Sequence, residues 1–124
     1  ISVAVIGDGG MEEGIVYETL NIASLKSLPI LFICENNKYS VQTNIAERTK
    51  TFNFKKKINA FDVKYVKISD YKTLNIHKKV GEAVSFVRKK QKPVFFVKTA
   101  GHNTPNGKDN AAPARHGTPY KKRC

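Results

Sequence analysis

Short apolar runs that alternate with amphipathic segments predict an α/β fold, a parallel three-layer sheet with helices on its faces. Two observations carry the prediction. The runs SVAVI (2–6), ILFICE (30–35) and VFFVK (94–98) are rich in β-branched and aromatic residues and bounded by glycine, proline or asparagine, as strands buried in a parallel sheet are. Between them lie segments whose apolar residues recur at helical spacing, long enough to cross from one parallel strand to the next.

Taken in order, residues 2–6 read as a buried strand that stops at Gly7. Residues 11–27 place Val16, Leu20 and Ala23 at helical spacing with Ile15 and Ile22 beside them, which predicts a helix. Glu12 and Glu13 fall in its first turn, where carboxylates suit the macrodipole and face water. Pro29 ends the connection, because it neither continues a helix nor donates to a ladder. Residues 30–35 form the second strand and Asn36 to Tyr39 the loop at its end. Residues 44–51 show no periodicity and read as loop, followed by a short helix from about Phe52 to Ala60. Residues 63–68 alternate as a third strand. Asp70 is placed to cap a long helix over about 71–91, in which Ile76, Val80, Val84 and Val87 make one stripe. Pro93 opens the fourth strand. Residues 1–98 are thus expected to form one α/β domain. From 99 to 124 almost nothing is large and apolar, so burial there cannot offset ordering entropy and a flexible tail is expected.

The stretch from Gly7-Asp8-Gly9 to Asn36-Asn37 is where chemistry is expected. Neighbouring parallel strands joined by a crossover helix release their C-terminal ends on one edge of the sheet, where ligands of such sheets bind. Asp8 and Asn36 or Asn37 are therefore expected side by side. Glycines at 7, 9 and 10 let backbone approach a large anion, and the following helix offers N–H groups to it. A carboxylate, an amide oxygen and a nearby carbonyl are hard donors, a set that suits Mg²⁺ or Ca²⁺ shared with a diphosphate.

The run GDGGMEEGIVYETLNIASLKSLPILFICENNKYSVQT resembles the thiamine-diphosphate motif of the α subunit of the first component of 2-oxo acid dehydrogenases, the pyruvate, branched-chain and acetoin type. GDG followed by NN marks thiamine-diphosphate enzymes in general. Glu18, Asn21, Ala23, Leu28-Pro29, Glu35, Tyr39 and Thr43 stand where the narrower pattern places them. The specific resemblance covers residues 1 to about 45, and to about 98 only the order of strands and helices fits.

The resemblance implies the thiamine-diphosphate-binding fold, with thiamine diphosphate and Mg²⁺ as cofactors. It implies that Asp8 and Asn37 bind the metal through their side chains and Tyr39 through its backbone carbonyl. Gly7, Gly9 and Gly10 would give N–H contacts to phosphate oxygens. His102, after Gly101, stands where the family places a histidine that reaches cofactor and substrate, although Lys98 replaces the arginine usual before it. The implied activity is oxidative decarboxylation of a 2-oxo acid with acyl transfer to a lipoyl carrier protein. The implied partner is a β subunit, in a heterotetramer, which supplies the activating glutamate. An isolated chain is then expected to bind metal and cofactor weakly and turn over little. His77 and His116 take no role, and Cys34 reads as a small buried hydrophobe.

Composition bounds the alternatives. The chain of 124 residues suffices for one domain but is small for a two-substrate enzyme, and it begins inside an apolar run without Met, so it reads as a piece of something longer. No run of membrane-spanning length and no signal peptide is visible, and two cysteines give no disulfide framework. A reducing compartment is expected, the cytoplasm or, in a eukaryote, the mitochondrial matrix. The net charge of +12 raises a second reading, a non-catalytic basic module for nucleic acid or an acidic partner. Its Lys and Arg are scattered over positions that helices and loops leave in water, and no nucleic-acid module accompanies them. A third reading is another thiamine-diphosphate enzyme, transketolase-like, sharing GDG and NN only. GDGGMEEG lacks the spacing of the dinucleotide fingerprint, and no nucleophile elbow, Cys-x-x-Cys pair or His-Glu-x-x-His helix occurs.

Overall fold

The computed structural model describes residues 1–51, 53–69 and 72–99. Four parallel strands form the main sheet: β1 (Ser2–Gly7), β2 (Ile30–Asn36), β5 (Lys64–Ile68) and β6 (Val94–Thr99), in the spatial order β1-β2-β6-β5. A two-stranded antiparallel hairpin, β3 (Tyr39–Ser40) and β4 (Thr43–Asn44), projects beyond the end of β2. The helices are α1 (Gly14–Leu25), α2 (Ile45–Arg48), α3 (Phe54–Asn59) and α4 (Thr73–Lys90).

The chain travels one way across the sheet from β1 to β2 to β5 and then back from β5 to β6. Right-handed crossovers moving in opposite directions put their helices on opposite faces, which is why two cores form. On one face Leu20 and Ala23 of α1, Ile45 of α2 and Phe54 and Ile58 of α3 close over Phe32, Cys34, Phe95 and Val97. On the other, Ala83 and Val87 of α4 close over Leu31, Ile68, Val94 and Phe96. Odd and even residues of β2 and β6 therefore serve different cores, as the two-residue period requires. Their register pairs Phe32 with Phe95, whose rings stack at 5.9 Å. The expected three-layer parallel architecture is the one observed.

Four elements differ from the sequence reading. The expected helix over 11–27 divides into a 3₁₀ turn, Gly10–Glu12, and α1 from Gly14. Met11, fully buried, plugs this turn into the core. Ile15 and Ile22 face outward at 65% and 52% exposure, because the buried stripe of α1 is only as wide as the sheet beneath it. Second, α1 ends at Leu25, short of the expected 27, in a Schellman motif in which Ser27 N–H donates to the Ser24 carbonyl and Leu28 N–H to the Ala23 carbonyl. Third, residues 44–51 are not all loop, for Asn44 caps α2 by accepting from Ala46 N–H at 2.9 Å. Fourth, β1 is not buried on both sides. Ala4 and Ile6 pack into the core under α1, but Val3 and Val5 are exposed, since α4 lies over β2, β5 and β6 and a single helix about 10 Å wide covers only about two strand spacings.

The stripe of α4 holds, with Val87 buried and Ile76, Val80 and Val84 packed against it. Lys72 occupies the capping position of α4. Asp70, the start of the short helix at Phe52, His102 and all of 100–124 lie outside the described residues. Among the described residues no helix is long and apolar enough to cross a membrane.

Candidate functional site

The C-terminal ends of β1 and β2 open into a cavity of about 380 Å³. Its walls are Gly7, Asp8, Gly9 and Gly10 from the end of β1, Glu35 and Asn37 from the end of β2, and Tyr39, Ser40 and Val41 from the hairpin. Gly7, Asp8, Gly9, Gly10, Asn37 and Tyr39, singled out in the sequence for metal or diphosphate, all bound this one space, and of the two asparagines it is Asn37 that does so. Parallel pairing makes this so: Gly7 lies in register with Glu35, and Asp8 N–H donates to the Glu35 carbonyl at 3.1 Å.

The turn after β1 is rigidly built. Met11, Glu12 and Glu13 N–H groups donate to the carbonyls of Asp8, Gly9 and Gly10, and Tyr17 Oη donates to the Met11 carbonyl at 2.7 Å. Among the described residues the N–H groups of Gly9 and Gly10 have no such partner and remain available to an anion. Gly9 is also where the hairpin comes closest. A Cβ there would stand 2.5 Å from Ser40 Oγ, whereas at Gly7 it would meet nothing and at Gly10 only Ile6, at 3.9 Å.

The two asparagines make consecutive side-chain turns, Asn36 Oδ1 accepting from Lys38 N–H and Asn37 Oδ1 from Tyr39 N–H at 2.8 Å. Lys38 between them takes the left-handed conformation, φ 68°, which swings the chain from the strand into the hairpin. Asn37 alone of the pair bounds the cavity; Asn36 lines a neighbouring one of about 680 Å³ together with Lys38, Lys50, Lys55 and Lys67. An amide oxygen has two lone pairs, so the bond to Tyr39 N–H leaves one for a cation.

Asp8 is 98% buried, and its Oδ2 receives Arg48 Nη2 at 2.6 Å. Arg48 Nη1 reaches Glu12 Oε1 at 2.6 Å, and its Nε donates to the Thr43 carbonyl at 3.2 Å. Glu12 remains exposed, as expected, but its carboxylate is also held by a guanidinium that is itself only 10% exposed. Arg48 went unnoticed in the sequence because a four-residue helix is too short to show a stripe. A signal was present, since Asn44-x-x-Glu47 has the form of a capping box.

The donor set fits a magnesium diphosphate. Among the described residues no three His, Cys, Asp or Glu side chains gather as a metal cage. A cation here would rest on the Asp8 carboxylate, the Asn37 amide and the Tyr39 carbonyl, and Mg²⁺ commonly takes one or two carboxylates and completes its shell with phosphate and water. Beneath the site Cys34 is inert: burial first, then the Asp8 and Glu35 charges, push its thiol up to about 12.

The pyruvate dehydrogenase E1 component subunit alpha of Rickettsia bellii (strain RML369-C) is 35% identical over 95 residues, covering 76% of this chain and 29% of that one. The mitochondrial 2-oxoisovalerate dehydrogenase subunit alpha 1 of Arabidopsis thaliana is 30% identical over 95 residues, covering 77% and 20%. The chain thus spans less than a third of the length of these relatives. Transketolase from Leishmania mexicana superposes with a TM-score of 0.68 at 24% identity, over 78% of this chain and 14% of that one, a likeness of fold alone. The family model described as dehydrogenase E1 component matches residues 1–106, and the chain belongs to that family.

Proposed function

We propose that this chain is the metal- and diphosphate-holding part of a thiamine-diphosphate-dependent 2-oxo acid dehydrogenase α subunit, with residues 1–98 as the domain that does the holding. One observation carries the reading: Asp8, Asn37, Tyr39 and the glycine turn bound a single cavity at the strand ends. When bound, thiamine diphosphate supplies the carbanion chemistry for oxidative decarboxylation of a 2-oxo acid, with the acyl group passed to a lipoyl carrier.

The chain's own share is anchoring. Asp8 and Asn37 supply oxygens to Mg²⁺, with the Tyr39 carbonyl beside them. The Gly9 and Gly10 N–H groups take phosphate oxygens, and the buried Met11 keeps the turn from yielding. Burial of Asp8 in a shielded site makes its attraction for a cation stronger than it would be in water. A β subunit completes the site, and the reaction belongs to the cytoplasm or, in a eukaryote, the mitochondrial matrix.

The test is calorimetric titration of the chain with thiamine diphosphate and Mg²⁺, alongside Asp8→Ala. The parent is expected to give weak but measurable heat that depends on both ligands and vanishes in Asp8→Ala. Equal heats from the two proteins overturn the reading. A heat that falls steeply with salt and ignores Asp8 supports the basic-module alternative instead.

A further inference from the structure

Arg48 belongs to no part of the GDG and NN motif, yet its guanidinium is more completely engaged than any other in the described residues. Its three nitrogens reach Asp8, Glu12 and the Thr43 carbonyl, and its side chain is 10% exposed. These contacts join both walls of the cavity. Asp8 and Glu12 lie on the turn after β1, whereas Arg48 and Thr43 close the segment 39–48 that carries Tyr39, Ser40 and Val41. Ser40 stands against Gly9 on the same seam.

Two opposite consequences for a cation are conceivable, and the charges decide between them. Arg48 takes only Oδ2 of Asp8, leaving Oδ1 as a donor. Its positive charge is met at 2.6 Å by Glu12, so Arg48 and Glu12 together are close to neutral and the Asp8 charge remains for the metal. A ligating carboxylate held on its far oxygen is also fixed in orientation, the usual role of groups that hydrogen-bond metal ligands.

We propose that Arg48 is a positioning residue for the metal site: backed by Glu12, it fixes the Asp8 carboxylate and docks segment 39–48 over the diphosphate cavity. This rests on the metal reading of Asp8 given above. Arg48 is thus an aid to the cation, not a plug that the cation must displace.

The experiment is Mn²⁺ titration of the 124-residue chain, read from the loss of the free-ion spin-resonance signal, for the parent and for Arg48→Met, Arg48→Lys, Glu12→Gln and Asp8→Asn. Arg48→Met is expected to weaken Mn²⁺ binding by about 10- to 100-fold, the range found for groups that hold metal ligands. Arg48→Lys should recover part of the loss. Glu12→Gln should weaken binding too, because it leaves an unbalanced cation beside the metal. Tryptic cleavage after Lys38 and Lys50 gives a readout without metal: it should accelerate in Arg48→Met while cleavage after Lys26, at the end of α1, keeps its parental rate. Tighter or unchanged Mn²⁺ binding in Arg48→Met, with Asp8→Asn abolishing it, overturns the proposal and leaves the site reading standing. Parental affinity in Asp8→Asn, or no Mn²⁺ binding by the parent, overturns both.

Discussion

Ser40 stands so close over Gly9 that a methyl group on Gly9 would lie 2.5 Å from its Oγ and 2.8 Å from its Cβ. Gly9 itself is ordinary in conformation, φ −65° and ψ −39°, so the need for glycine is one of space and not of backbone freedom. A serine Cβ cannot swing aside as the end of a long chain can, and the hairpin backbone must move. Gly9→Ala is expected to cost about 1–3 kcal/mol, the usual range for overpacking, and to weaken diphosphate binding with it. Gly10→Ala, with only Ile6 nearby at 3.9 Å, should be neutral or stabilise slightly. Urea melts of both variants, with Ser40→Gly added to Gly9→Ala, check this; failure of the added glycine to restore stability would remove the steric explanation.

Ser27 occupies the left-handed position of the Schellman motif at φ 50°, where glycine is the residue without a Cβ penalty. The two carbonyl bonds of the motif involve only its backbone, so a change of side chain keeps them. Ser27→Gly should therefore raise stability by about 0.5–1 kcal/mol, reduced by the extra freedom glycine gives the unfolded chain. A lower denaturation midpoint in this variant would mean that the serine side chain contributes something to the helix end beyond its backbone.

Much of this was legible in the sequence, and the part that was not has a common cause. Strands β2 and β6 announce themselves because their apolar residues pack into one core or the other, giving unbroken apolar runs. The meeting of Asp8 with the Asn36-Asn37 pair followed from topology, since neighbouring parallel strands end on one edge of the sheet, whereas Tyr39 came only from the resemblance. What escaped were contacts between segments with no period of their own. Arg48 sits 40 residues from Asp8, on one turn of helix, and nothing in NIAERT reveals which way its guanidinium points. The exposure of Val3 and Val5 escaped for the converse reason: apolar content reports what a strand is able to bury, and only the placement of α4 shows which face is covered.

Asn44 and Asn53 cap two short helices with their side-chain oxygens, Asn44 Oδ1 accepting from the N–H two residues on, Ala46, at 2.9 Å and Asn53 Oδ1 from the one three residues on, Lys56, at 3.1 Å. Replacing either by alanine is expected to cost about 1 kcal/mol. Their effects on the site should differ, because α2 delivers Arg48 to Asp8 whereas α3 only packs against the sheet. Asn44→Ala is thus expected to weaken Mg²⁺-dependent diphosphate binding and Asn53→Ala to leave it as it was. Parallel melts and titrations separate the two; equal binding losses would show that the site responds to overall stability and not to the placement of α2.

Cys34 gives the fold an alkaline limit. Its thiol is raised from an ordinary value of 9.0 to about 12, first by burial and then by the charges of Asp8 and Glu35. Above pH 9 the unfolded chain releases this proton while the folded chain keeps it, so the unfolded state binds fewer protons and stability falls as pH rises. The stability tied to this group is complete below pH 9 and declines through the interval up to about pH 12. The slope for one such group is about 1.4 kcal/mol per pH unit at most. Tyr65, raised by burial and then by the Cys34 charge, steepens the same limb. Cys34→Ala should therefore be less stable than the parent near neutrality, through lost packing, yet show a shallower decline between pH 9 and 11. Denaturant melts at half-unit pH steps measure the difference, and parallel curves for the two proteins would show that the buried thiol ionises as readily folded as unfolded.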